Sequence, residues 1–177
     1  MGGLSGRGGS GLSLLIALLV LASACIGQRG EELTGVIIKV VDGDTVYVRL
    51  DNGTVEKVRL VGVDTPELEP AGMYPGEYDG IKNITCLVEW GFRAKEFAEE
   101  WLEGKRVILV LDPLQPKRDR YGRLLAYVYV DGVDFNAELV KRGLARVYVE
   151  GSFEKKGEYL RYQREAVKRE LGLWACG

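Results

Sequence analysis

The chain has 177 residues, 46% hydrophobic and 28% charged, with a formal net charge of -2; these proportions suit one globular domain with its own core and exclude a disordered or fibrous chain. It contains no histidine, which excludes Ser-His and Cys-His nucleophile systems and imidazole zinc sites. Any general base must be a carboxylate, a lysine or a tyrosine, and catalysis would rest on Asp, Glu, Arg and a hard metal ion.

Arg7 is the only charge before the apolar run Gly11 to Ala24, which is too short to span a bilayer comfortably and ends in small residues before Cys25. Residues 1–25 are therefore read as a secretory signal peptide. Ala22-Ser23-Ala24 would suit ordinary cleavage, whereas LASAC resembles a lipobox with lipidation at Cys25, and the lipobox is preferred because it explains the cysteine. The expected product is extracytoplasmic, either secreted or held at a membrane through an N-terminal lipid anchor; an uncleaved signal anchor is the alternative. Two thiols remain, Cys86 and Cys176, and in an oxidising compartment they are expected to form a disulfide closing a loop of about ninety residues. The alternative is a pair of buried free cysteines.

Residues 26–34 read as a tether and 35–177 as the domain. From Gly35 the pattern predicts three strands, with a bend at Gly43 and a tight turn at Asp51-Asn52-Gly53, whose Asn-Gly pair tolerates positive φ. The third strand, VRLVGVDTPE, carries Arg59 and ends in Asp64 and Glu67. Residues 69–85, rich in Gly, Pro and Tyr, read as a loop placed to overhang that acidic tip. Cys86 to Glu103 carries Leu87, Trp90, Ala94, Phe97, Ala98 and Trp101 at helical spacing, and Gly104 stops it. KRVILVLD predicts a fourth strand, PLQPKRDRYGR a basic loop, and LLAYVYVDG a fifth strand. A short helix starts at Asp134 and stops at Gly143, a charged helix covers Ser152 to Leu171, and Trp174 is placed as a cap on the core. Five strands with helices after the third and fifth predict an α+β fold: a five-stranded OB-fold Greek-key barrel with three packed helices.

Charge is distributed unevenly. Glu31 to Gly104 holds 16 acids and 7 bases, a net of -9, while Lys105 to Arg146 holds 9 bases and 5 acids, a net of +4. Brought face to face, such halves resemble a site where cations hold phosphates and carboxylates hold a metal, although charge runs taken alone read as solvated faces. Three motifs sharpen the first reading: DGDT (Asp42 to Thr45), VDTPE (Val63 to Glu67) and DRYGR (Asp119 to Arg123). Each alone has a structural account, as a turn, a strand exit or a surface loop.

Taken together, DGDTV, RLVGVDTPE, YGRLLAYVYVDG and NAELVKRGLARV resemble the staphylococcal nuclease family in order and spacing from about Gly35 to Trp174. The resemblance implies an OB barrel with three helices and a calcium-dependent nuclease that cleaves DNA and RNA with little sequence preference, leaving 3'-phosphate ends. It implies Asp44 and Asp64 as carboxylate ligands of Ca2+, with the Thr65 carbonyl as a further ligand, a donor set that suits a hard cation. Glu67 would act as general base or orient the attacking water, and Arg59 and Arg123 would clamp phosphate oxygens through planar guanidinium forks. Arg120, Tyr121 and Tyr148 would contact the nucleic acid. Two departures stand out: Glu150 falls near the place of a second tyrosine, and the acidic loop at 69–85 replaces a short basic one. The chain is expected to act as a monomer. The alternative reading is a non-catalytic OB-fold lipoprotein that binds nucleic acid or another surface ligand; a structural lipoprotein without calcium binding is a third.

Overall fold

The computed structural model describes residues 30–73 and 77–177, with the isolated Gly2. The expected signal peptide, the lipobox at Cys25 and the start of the tether lie outside the described residues. Strands β1 (Glu32–Asp42), β2 (Thr45–Leu50) and β3 (Val55–Leu60) form an antiparallel meander, and the short β4 (Val63–Asp64) continues the third strand's path. Helix α1 (Ile84–Leu102) follows, then β5 (Arg106–Val110), β6 (Leu124–Val130), β7 (Val133–Asp134), α2 (Phe135–Lys141), β8 (Arg146–Val147) and α3 (Lys156–Lys168).

The sheet closes on itself. β1 pairs with β5 on its second side, β5 with β6, and β6 returns parallel to β3 with Arg59 opposite Leu125. Closure leaves the five long strands without a free edge in the ring, the arrangement expected of a small barrel. Alternation fills its interior: Val46, Val48, Val58, Leu60, Leu109, Ala126 and Val128 are buried, joined by Ala94, Ala98 and Leu102 from α1 and Phe135 and Leu139 from α2. Polar groups are buried too, Asn136 most completely. Asn136 is fully enclosed and accepts from Val128 N–H at 3.0 Å while donating to the carbonyl of Val61 at 2.9 Å. It satisfies backbone groups left where β3 and β6 part company, which is why a buried amide is tolerated there.

The α+β barrel with three helices is as the sequence pattern predicts, but three details differ. Glu32, Leu33 and Thr34 belong to β1, paired with β5, so the domain starts before residue 35. β4 and β8 form a two-stranded sheet that ties the end of the third strand to the segment after α2, a pairing too short to show as alternation. The loop after Glu67 contributes to a second core: Met73, Tyr78 and Ile81 are buried with Leu87, Ala166, Leu173 and Trp174. Trp174 thus belongs to this cluster rather than capping the barrel. Cys86 and Cys176 are joined by a disulfide, with Cα atoms 5.9 Å apart, closing the same region. Constraining so long a loop contributes ~3–5 kcal/mol on the chain-entropy model.

Candidate active site

Strand register builds the site. Thr45 pairs with Arg59 across β2 and β3, and Asp42 pairs with Thr45 at the turn between β1 and β2, so the turn Asp42-Gly43-Asp44 lies beside Arg59. The backbone carbonyl of Asp44 accepts from Leu60 N–H at 2.9 Å, which fixes the turn to β3. Asp44 is 1% exposed, and its carboxylate joins three segments. Oδ2 accepts from Thr65 N–H at 2.8 Å and Thr65 Oγ1 at 3.1 Å, Oδ1 accepts from Thr45 Oγ1 at 3.1 Å, and Arg59 pairs with Oδ1. Gly43 allows this approach, since a Cβ there would stand 2.7 Å from Thr65 Cγ2 and 2.8 Å from Ala94 Cβ.

Arg59 links the two carboxylates. Its Nη1 pairs with Asp44 and its Nη2 donates to Asp64 Oδ1 at 2.6 Å. The other oxygen of Asp64 is held from outside by Arg146, whose Nε donates at 3.0 Å and whose Nη2 lies 2.9 Å away. Arg146 is 6% exposed and also pairs with Glu150 at 3.0 Å and Glu77 at 3.8 Å, between the rings of Tyr78 and Tyr148. A buried guanidinium requires such compensation. Glu150, the residue near the place of a second tyrosine, is therefore paired; burial opposes its ionisation, but a hydrogen bond from its own backbone together with the hydrogen bond and charge of Arg146 holds its carboxyl below the ordinary range.

Asp42, Asp44, Arg59, Thr65, Glu67 and Arg123 line one cleft of about 300 Å³, with Tyr121 at its rim. Glu67 opens to this cleft, yet the cleft walls partly desolvate its carboxyl and the charges of Asp42 and Asp64 add to the effect, so its pKa is raised above the ordinary 4.5. Burial raises Asp42 as well, opposed by the charge of Arg59. Tyr78 donates its hydroxyl to the Thr65 carbonyl at 2.9 Å, and burial, reinforced by Asp64 and Glu77, pushes its phenol far up, so it stays a donor at every physiological pH.

A second cleft of about 530 Å³ adjoins the first and shares Arg59, Tyr121 and Arg123 with it. Arg120, Gln115, Tyr148 and Phe153 also line it. Asp119 shapes its loop: its Oδ1 accepts from the N–H groups of Tyr121 and Arg123, each at 2.9 Å, and its Oδ2 from Arg123 Nε at 2.7 Å. Burial opposes ionisation of Asp119, but these bonds win and hold its pKa low. Tyr121, 68% exposed, lies under the guanidinium groups of Arg120 at 4.7 Å and Arg123 at 5.4 Å.

The structure thus brings Asp44, Arg59, Asp64, Thr65, Glu67 and Arg123 to one place and sets Arg120, Tyr121 and Tyr148 around the neighbouring cleft. Sequence reasoning left Asp42, Tyr78, Asp119 and Arg146 without roles. Asp42 and Asp119 stood inside motifs already singled out, whereas Tyr78 and Arg146 act through tertiary contacts that carry no local signal.

Among the described residues no three acidic, cysteine or histidine side chains form a ready-made metal cage. The carboxylate pair nevertheless suits a hard cation: Asp44 and Asp64 share one positive charge, which here is the Arg59 guanidinium between them.

Residues 57–176 match the family model described as staphylococcal nuclease homologue. The chain is 47% identical over 153 residues to an uncharacterized protein of Methanocaldococcus jannaschii, an alignment covering 81% of this chain and 72% of that one. It is 37% identical to the thermonuclease of Staphylococcus intermedius, covering 82% and 77%, and 36% identical to the prophage-derived endonuclease YokF of Bacillus subtilis, covering 82% and 45%.

Proposed function

Because the chain belongs to the staphylococcal nuclease family and is a nuclease, we propose that it is a calcium-dependent enzyme that hydrolyses DNA and RNA with little sequence preference and leaves 3'-phosphate ends. The observation that carries this reading is the meeting of Asp44, Arg59, Glu67 and Arg123 around one small cleft that adjoins a second, aromatic one, with Asp64 tied to that cleft through Arg59.

Arg59 and Arg123 line both clefts, so a phosphate at their junction would meet two planar guanidinium forks. Attack on a phosphodiester gathers negative charge on its equatorial oxygens, and paired charge-assisted bonds stabilise that charge more than they stabilise the ground state. Glu67 stands on the carboxylate side, where its raised pKa suits proton acceptance from water. Ca2+ held by Asp44, Asp64 and the Thr65 carbonyl would supply positive charge against the phosphate oxygens. Tyr121, Tyr148 and Arg120 offer ring faces and charge to bases and phosphates on the other side, contacts that tolerate any sequence.

The protein would act as a monomer outside the cytoplasm, secreted or lipid-anchored at Cys25, a reading supported by the apolar run before Cys25 and by the Cys86–Cys176 disulfide. Intact mass of the mature N-terminus separates the two forms. Cleavage of plasmid and single-stranded DNA in calcium, then in excess EGTA, tests the catalytic reading beside Glu67→Ala. Wild-type cleavage abolished by EGTA, and at least ~100-fold slower in the variant, is expected. Equal activity in the two proteins would refute the site.

A further inference from the structure

Tyr78 has no part in that chemistry, yet it reaches the two segments on which the chemistry depends. It is 2% exposed, its hydroxyl donates to the Thr65 carbonyl at 2.9 Å, and its ring packs 5.5 Å from the Arg146 guanidinium that grips Asp64. The Thr65 residue is consequently held from both sides, its N–H by Asp44 and its C=O by Tyr78. Earlier in the same loop Gly72 packs on Glu67, where a Cβ would stand 2.9 Å from Glu67 Cγ. Tyr78 itself is held by the second core, with Met73, Leu173 and Trp174, and the disulfide closes that core.

We propose that Tyr78 is a positioning residue through which the disulfide-closed second core orders the turn from Asp64 to Glu67. A donor aimed at a ligand or reacting group fixes its direction, and supports of this kind affect activity without touching substrate. The inference rests on the nuclease reading for what the turn does, and on geometry alone for how the turn is held. Removing the hydroxyl frees the Thr65 carbonyl to rotate, and opening the disulfide loosens the core that delivers the hydroxyl. Each change should therefore have the same consequence at Thr65.

The test is amide hydrogen exchange in metal-free protein, comparing Tyr78→Phe, the Cys86→Ser/Cys176→Ser pair and their combination. Tyr78→Phe keeps the ring in its cluster and so preserves the fold. Exchange at the Thr65 amide is expected to quicken about tenfold in Tyr78→Phe and in the cysteine pair, with little further gain in the combination and barrel amides such as Val58 and Ala126 unchanged. In steady-state cleavage, Tyr78→Phe should lower kcat about tenfold with KM within about twofold of wild type. Thr65 exchange that only tracks the barrel amides, or additive effects of the two changes, would overturn the proposal. The exchange experiment needs neither metal nor cleavage, so an inactive wild type would refute the nuclease reading while leaving this inference to stand or fall on exchange.

Discussion

The two clefts share three residues but are built by opposite means. On the carboxylate side Asp44 and Thr65 are 1% and 4% exposed, and each is held by groups from other elements, among them β3 and the loop that carries Tyr78. On the aromatic side Tyr121 and Tyr148 are 68% and 43% exposed, and the loop bearing Tyr121 is shaped mainly by its own Asp119. Long-range support suits groups that must meet a reacting phosphate within a fraction of an ångström, while exposed rings on a locally closed loop suit bases that vary from one site to the next. The difference teaches that damage to the first side should appear in kcat and damage to the second in KM.

The sharpest break is Arg59→Lys. It retains a cation beside Asp44 and Asp64 but loses the fork that reaches both carboxylates and the phosphate position. A loss of ~100-fold or more in kcat, with the unfolding midpoint little changed, is expected from removing one transition-state donor. Near wild-type turnover would mean that Arg59 serves the fold and not the phosphate. Asp119→Asn probes the seam between the clefts. It keeps a side-chain acceptor in the loop but removes the charge that steadies Arg123 Nε, and ~10-fold lower kcat/KM is expected from steady-state assays.

These contrasts also explain what the sequence made legible. Strand alternation, the Asn-Gly turn and the stop glycines are local signals, and they sufficed for five strands, three helices and barrel class. Arg59, Asp64 and Glu67 stood out because a core strand that ends in acids and carries an arginine needs a reason, and Asp44 through the DGDT turn and the family resemblance. Arg146 looked like one base among nine, because nothing near it in sequence shows that it is buried between two tyrosines and bound to Asp64. Tyr78 sat in a segment whose Gly, Pro and Tyr content reads as loop, and its burial depends on Leu173 and Trp174 almost a hundred residues away.

A smaller effect concerns stability and separates Glu67 from its neighbours. Its pKa is raised in the fold, so folding favours the protonated carboxyl; that contribution is present below the ordinary 4.5 and is lost as pH rises through the higher folded value. Glu67→Gln should therefore raise the melting temperature of the metal-free protein slightly at neutral pH, and the gain should vanish as pH falls below the ordinary glutamate range. Calorimetry across pH 3.5 to pH 8, values chosen to bracket that range at roughly one unit below and several above, provides the check. A gain that persists in acid would assign the effect to packing instead of charge.

The smallest effect should come from Glu150→Gln, and its size decides whether the acid on the aromatic side repels substrate. Arg146 lies between Glu150 and Asp64, so the negative charge of Glu150 is largely cancelled before it reaches the cleft. Glu150 is about half exposed, where a single ion pair contributes less than ~1 kcal/mol and salt screens it further. Removing its charge should leave Arg146 on Asp64 and Glu77, change KM for single-stranded DNA by no more than about twofold, and leave kcat where it was. A several-fold fall in KM that disappears at high salt would show instead that an uncompensated charge lies on the path of the polyanion. The aromatic side would then be selective through repulsion as well as stacking.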